Sequence, residues 1–240
     1  MSAATQQPLP VVLVPGLLCT PRLYLEQLPA LWRFGPVIVA DHTRDASVAA
    51  IARRLLSQVQ GPFVLIALSM GGYVAFEILR HAPERVTKLA LLDTTARPDA
   101  PEQSEARQRQ IDIARSGRFN TIADLLFPKF VAAARHGDET LRATVQTMAQ
   151  ETGADAFVRQ QTAIMHRPDS RPNLPAIRCP TLVLVGADDT LTPPDRAAEI
   201  AANVQDPYLV TVPQCGHLST LEQPEAVTRA LVEFLGDSGG

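Results

Sequence analysis

Phe63-Val64-Leu65-Ile66-Ala67-Leu68-Ser69-Met70-Gly71-Gly72 is an apolar run that stops on a serine and passes through two glycines. Phe63 to Leu68 carries no charge and is rich in β-branched and large apolar side chains, so it reads as a strand buried on both faces. Beyond Ser69, apolar residues recur at Val74, Ile78 and Leu79 with helical spacing. That helix should end near His81, because Pro83 cannot continue it. Ser69 therefore sits at a tight strand-to-helix corner, where the backbone is strained and neighbouring side chains crowd. Ala67 and Gly71, two residues to either side, keep the corner small. The serine oxygen is lifted clear of the sheet, and the Met70 amide points at the same space from a helix N-terminus. A serine that merely caps an ordinary helix is the competing reading, and the corner alone does not separate the two.

The flanking sequence repeats the strand–helix rhythm. Pro10–Val14 is a first strand ending at Pro15-Gly16, and Arg22–Trp32 reads as a helix. Val37–Ala40 is a second strand, and Ser47 caps a helix through about Val59. The Ser69 strand and helix follow, then a strand at Lys88–Leu92. From Arg97 to about Pro175 the rhythm stops. Helical patterns occur near 102–115, 121–134, 139–150 and 154–166, with Pro128 expected to kink or split the second. It resumes with a strand at Thr181–Val185, a helix at Pro194–Ala202, a strand at Tyr208–Val212 and a helix at Pro224–Leu235. Such alternation implies a parallel sheet. One α/β domain over 1–240 is expected, with a core of 9–96 and 175–236 and a helical insertion over 97–174. The insertion follows a strand's carboxyl end, the side on which open parallel sheets bind ligands, so it is expected to form a lid over Ser69.

Composition narrows the function classes. The 240 residues are 46% hydrophobic and 20% charged, the profile of a folded soluble chain. A formal net charge of −3 offers no footprint for nucleic acid. Met1 to Pro10 lacks the basic and apolar regions of a signal peptide, and no stretch reaches the length of a membrane span. Cys19, Cys179 and Cys215 are widely spaced, which suggests neither a disulfide framework nor a zinc site and fits a cytoplasmic protein. No nucleic-acid or membrane partner is expected. Oligomeric state is not readable.

A serine hydroxyl needs a base, an acid to orient that base, and donors for an oxyanion before it can act as a nucleophile at neutral pH. Of five histidines, His81 lies at the far end of the Ser69 helix, while His136 and His166 sit beside arginines in the insertion. His42 follows a strand without further support. His217, in Gln214-Cys215-Gly216-His217-Leu218, lies just past the last strand and has Gly216 to turn it inward. The strand before it ends in Gly186-Ala187-Asp188-Asp189, so Asp188 and Asp189 are candidates for the acid. Thr192 takes the role of helix cap before Pro193-Pro194, and Asp93 is a further candidate acid. For the donors, Pro15-Gly16-Leu17 can present the Leu17 amide opposite that of Met70, with Gly16 permitting close approach.

With these motifs in order, the chain resembles an α/β-hydrolase fold serine hydrolase from about Leu9 to Leu235. The order Ser69…Asp189…His217 is that of the family. Gly186-x-x-Asp189-x-x-x-Pro193 is similar to its acid loop and favours Asp189 over Asp188. Gly216-His217-x-x-x-x-Glu222-x-Pro224 resembles its histidine loop. Three departures stand out: Pro15-Gly16 where the family usually has His-Gly, Ala67 for the corner's first glycine, and no counterpart to the usual N-terminal hairpin. The resemblance implies about six mainly parallel strands flanked by helices, with Val37–Ala40 at an edge and an all-helical lid. It implies a Ser69–His217–Asp189 triad, an oxyanion hole from Leu17 and Met70, and no metal or organic cofactor. A carboxylic ester or lactone of a small, mainly apolar substrate is the expected target. Carbon–carbon bond hydrolysis, perhydrolase activity and a hydrolase-like ligand receptor or signalling protein are the alternatives. Expected pocket residues are Leu17, Leu18, Met70, Leu191 and Leu218, with Phe127, Phe130, Met148, Ile164 and Met165 from the lid. The insertion's arginines are expected mostly on solvated helix faces, with one left open as a reader of a substrate carboxylate.

Overall fold

Every residue of Phe63–Leu68 is buried, as an uncharged run of this composition requires. In a computed structural model of the protein, which describes residues 8–237, this run is strand β3. Residues 1–7, most of the stretch scanned for a signal peptide, and 238–240 lie outside the described residues. The other strands are β1 (Val11–Val14), β2 (Val37–Val39), β4 (Val86–Leu92), β5 (Thr181–Gly186) and β6 (Pro207–Val212). They form one sheet in the order β2-β1-β3-β4-β5-β6, parallel at every pairing. The strand at 37–39 is at an edge, as expected.

This order has a reversal in it. From β1 the chain moves outward to β2, then returns to place β3 on the other flank of β1. Loops leaving β1 and β3 therefore diverge, and the crevice between their carboxyl ends is where such sheets take ligands. Ser69 follows β3, and Pro15-Gly16-Leu17 follows β1. Val14 pairs with Ala67, which brings the two loops side by side.

The helices are α1 (Leu28–Leu31), α2 (Val48–Gln58), α3 (Met70–His81), α4 (Pro101–Ile113), α5 (Ile122–Phe130), α6 (Glu139–Thr152), α7 (Ala154–Met165), α8 (Pro194–Ala201), α9 (Ser219–Glu222) and α10 (Pro224–Gly236). Helix α2 starts at Ser47, whose hydroxyl accepts from the Ala50 amide at 3.2 Å. Helices α4 to α7 occupy the interval between β4 and β5. Their buried Phe127, Val145, Phe157 and Ile164 belong to the same apolar cluster as the sheet.

Two expectations from local pattern fail. Arg22–Trp32 is not one helix but a 3₁₀ turn at Pro21–Tyr24 and a single α-turn at Leu28–Leu31. Pro29 has no N–H to bond back to Leu25, so a helix running through it would lose a rung. Pro128 does not split its helix; it lies in the last turn of α5, which stops at Phe130 rather than near Ala134. The Pro128 carbonyl, one of the last four of the helix, accepts from His136 Nε2 at 3.0 Å.

The corner itself is tightly enclosed. Ser69 has φ 55° and ψ −115°, a left-handed strain of order 1–3 kcal/mol for a non-glycine residue. A Cβ on Gly71 would strike the Val14 carbonyl, and one on Gly72 would strike the Thr94 side chain. Gly71→Ala should therefore lower unfolding free energy by roughly 1–3 kcal/mol, read from urea denaturation. A wild-type midpoint in that variant would show that the corner has room to spare.

Candidate active site

The strained φ of Ser69 is held by hydrogen bonds on both sides. Its amide donates to the Leu92 carbonyl at 2.9 Å, and its carbonyl accepts from the Gly72 amide at 2.9 Å and from Thr94 Oγ1 at 2.8 Å. With the backbone so fixed, Ser69 Oγ lies 2.8 Å from His217 Nε2. The other ring nitrogen, Nδ1, is 2.8 Å from Asp189 Oδ2. Side chains 148 and 28 residues apart in sequence are thus joined in one line. His217 and Asp189 are each only 3% exposed.

Asp189 is held as an acceptor. Its Oδ1 takes the amides of Leu191 and Thr192 at 2.8 and 3.0 Å, and its Oδ2 takes the Thr192 hydroxyl at 2.7 Å. Thr192 is therefore not the helix cap; Pro193 occupies that position and the threonine hydroxyl turns back to the carboxylate. That hydroxyl is also 3.2 Å from His217 Nδ1. Asp188 is exposed. Burial alone would raise the Asp189 carboxyl, but the facing His217 and these donors outweigh it and hold it below the usual carboxylate range. Burial likewise opposes the imidazolium, yet the Asp189 charge prevails and His217 is raised above the ordinary histidine value. The imidazole ring also stacks on Phe130, with centroids 6.2 Å apart.

Two other buried carboxyls fix the loops that carry the base and the acid. Glu222 accepts from the Gly216 amide at 3.0 Å and from the Ala132 amide at 2.8 Å, tying the histidine loop to the end of α5. Asp93, at the end of β4, accepts from the Gly186 amide at 2.9 Å through Oδ1 and shares a hydrogen bond with Ser219 through Oδ2. One carboxyl thus clamps the start of the acid loop to the end of the histidine loop. Asp93 is not in the line to Ser69. Burial, and next the neighbouring Asp189 charge, push it up to about 8.

The loop after β1 is pinned from three directions. Cys19 donates its amide to the Gly16 carbonyl at 3.1 Å, and His42 Nε2 reaches the same carbonyl at 2.9 Å. Burial lowers the pKa of His42, so its neutral ring serves as the donor. From α7, Gln160 Oε1 accepts the Leu18 amide at 3.1 Å. A Cβ on Gly16 would lie 3.3 Å from the Ser69 Cβ, which measures how closely this loop approaches the corner. The Leu17 and Met70 amides have no hydrogen-bond partner among the described residues.

The sequence profile of the Alpha/beta hydrolase family matches residues 11–230. The chain belongs to that family. Among solved structures, a malate-bound thermophilic esterase from Thermogutta terrifontis is 31% identical, with a TM-score of 0.86 over 97% of this chain and 91% of that one. The enol-lactonase of Burkholderia xenovorans LB400, at 22% identity, shares the fold with a TM-score of 0.87 over 98% and 94%. A 2-hydroxy-6-oxononadienedioate/2-hydroxy-6-oxononatrienedioate hydrolase from Paraburkholderia xenovorans is 27% identical over 210 residues, 85% of this chain and 73% of that protein.

In this α/β hydrolase, a cavity of about 290 Å³ opens onto Ser69 and His217. Of the expected pocket residues, Leu17, Phe130, Ile164 and Leu191 line it. Leu18, Phe127, Met148, Met165 and Leu218 do not. Leu18, Phe127, Met148 and Leu218 are spent on the core, with Phe127 beneath the Arg142 guanidinium at 4.3 Å, and Met165 is half-buried outside the cavity. The Met70 side chain is also in the core, and only its amide faces the corner. The wall is less apolar than expected: Thr95, Gln103, Gln110 and several cations share it. Among the described residues no helix is long and apolar enough to cross a membrane.

The clamp at Asp93 has a pH signature. Its folded pKa, about 8, lies far above the value near 3.9 of an unfolded aspartate. The stability it contributes is therefore whole at low pH and is lost as pH rises through the folded pKa. Unfolding free energy should fall between about pH 4 and 8 by up to ~1.4 kcal/mol per pH unit from this group. Asp93→Asn, which cannot ionise, should lack that slope. Urea denaturation of both proteins across this range checks it; parallel profiles would show that Asp93 is ionised throughout.

Proposed function

We propose that the protein is a serine hydrolase that cleaves the ester or lactone bond of a small substrate through Ser69, His217 and Asp189. The observation that carries this is the unbroken line Asp189 Oδ2 – His217 Nδ1 – His217 Nε2 – Ser69 Oγ, each polar contact at 2.8 Å. The 31% identity to an esterase supports the choice of bond.

Each residue then has a task. His217 Nε2 takes the Ser69 proton as Oγ attacks the carbonyl carbon. The Leu17 and Met70 amides receive the oxyanion, an interaction for which one donor is typically worth roughly 10²–10³ in rate. The imidazolium hands its proton to the departing alcohol oxygen, leaving an acyl-Ser69. Water enters, gives a proton to His217, attacks the acyl carbon, and Ser69 leaves with the proton returned. Asp189, held by three donors of its own loop, keeps Nδ1–H directed inward and stabilises the charged ring. The segment 97–174 acts as a lid: α4, α5 and α7 contribute Arg107, Phe130 and Ile164 to the cavity wall.

Ser69→Ala should lower turnover of short p-nitrophenyl esters by roughly 10⁴-fold or more, because such residues act as a unit. A single stoichiometric burst without turnover in the wild type would instead indicate a hydrolase-like receptor. Because His217 must be neutral to act as base, kcat/KM should rise with pH through a midpoint above the ordinary histidine value of about 6.5. In Asp189→Asn that midpoint should fall as the raising charge is removed. An unchanged midpoint in the variant would assign the limb to another group.

A further inference from the structure

The cavity next to Ser69 is lined by Arg97, Arg107, Lys129, Arg167 and Arg196, and by no aspartate or glutamate. These five cations come from five different places: the segment after β4, α4, α5, the segment after α7, and α8. A run of cations along one helix would be a solvated face. Convergence from five elements onto one concave space is a different matter, the more so in a chain whose formal net charge is −3.

The carboxylates that balance them stand behind the wall. Asp99, whose side chain is 1% exposed, serves two guanidiniums at once, Arg107 Nε at 2.7 Å and Arg167 Nη1 at 2.5 Å. Glu199 takes Arg97 through two hydrogen bonds, at 2.8 and 2.9 Å. Arg167 is further committed to the carbonyls of Arg97 and Ile164 and lies over the Tyr73 ring at 4.2 Å. Arg97 and Arg167 are therefore scaffold. Arg107 gives Nη1 to Gln161 at 2.8 Å, and its Nη2 has no hydrogen-bond partner among the described residues. Lys129 makes no ion pair among them. Arg196 is matched only by its neighbour Asp195, a carboxylate 62% exposed. The wall thus presents positive charge and unused donors to one concave space. Such donors are wasted on a neutral ligand, whereas a planar carboxylate fits a guanidinium fork.

Resting on the hydrolase reading, we propose that the substrate is a small ester or lactone bearing a separate carboxylate, which Arg107, Lys129 and Arg196 hold while Ser69 attacks the carbonyl. The carboxylate is not consumed; it orients the substrate and adds affinity. This replaces the expectation of a mainly apolar pocket.

The test pairs phenyl hydrogen adipate with its uncharged carboxamide isostere, reading phenol release. The wild type should favour the acid at least tenfold in kcat/KM, mostly through KM, and 0.5 M NaCl should erode the preference. Lys129→Met and Arg107→Met should each cut the preference severalfold, and Lys129→Glu should abolish or invert it. Arg107 is paired with buried Asp99, so its variant also perturbs the fold; Lys129 is exposed, so its two variants decide. Equal kcat/KM for the two esters, or a preference unmoved by Lys129→Glu, would overturn the proposal while leaving the hydrolase reading intact. If neither ester turns over, adipate is titrated into the wild type by calorimetry at low salt. Binding weakened at least tenfold in Lys129→Glu would sustain the anion site and remove the hydrolase reading; no binding would remove both.

Discussion

The molecule depends on one improbable backbone conformation. Ser69 sits at a φ that L-residues avoid, at the end of a strand with no solvent on either face. Nothing at the corner can relax outward. A Cβ on Gly71 would meet the Val14 carbonyl, one on Gly72 would meet Thr94, and one on Gly16 would lie 3.3 Å from the serine Cβ. Each glycine marks a place where a neighbouring backbone or side chain has moved into the volume that a Cβ would fill. The strain is tolerated because sheet pairing, the Thr94 hydroxyl and the first turn of α3 all hold the same serine from different sides.

Around that corner, buried carboxyls do the work of connecting loops. Asp189 gathers its own loop and faces His217. Glu222 joins the histidine loop to the end of α5, and Asp93 joins the acid loop to the first residue of α9. Backbone amides supply most of the donors, so each carboxyl fixes main chain rather than one movable side chain. The two differ electrically. Asp189 is stabilised as an anion by the ring it faces, whereas Asp93, a short way behind it, is pushed towards the neutral acid by burial and by Asp189 itself. A second full charge so near the imidazole is thereby avoided at neutral pH.

Much of this was legible in the sequence, because the informative signals were local. The uncharged run before Ser69, the strand–helix rhythm and the glycines at 16, 71 and 216 follow from short-range sterics and burial, and they located the strands and the corner, while the edge place of β2 came with the family resemblance. What stayed hidden depended on which neighbour a side chain meets. Thr192 has the composition of a cap, and only the position of Asp189 turns its hydroxyl inward. Pro29 broke a helix whose apolar spacing looked continuous. The arginines of α4 and the segment after α7 have the pattern of a solvated face, yet Arg107 and Arg167 turn to the cavity because Asp99 lies behind them. The apolar residues expected in the wall were instead drawn into the core. Periodicity tells that a helix has two faces but not which one meets the substrate.

The bond from Gln160 to the Leu18 amide has a consequence for any attempt to exchange parts between relatives. Gln160 belongs to the helical segment, Leu18 to the first loop of the sheet, and 142 residues separate them. Leu18 stands at φ 61°, which a leucine rarely adopts, and the Gln160 amide is oriented by the need of that N–H for an acceptor, leaving Nε2 buried without a partner among the described residues. A chimera whose helical segment lacks a glutamine at this place removes the acceptor and leaves the buried Leu18 amide, in the loop beside Ser69, without a partner. The two regions meet through that one bond, and grafting one without the other would build a fold that looks whole while a buried donor beside its reactive corner goes unanswered.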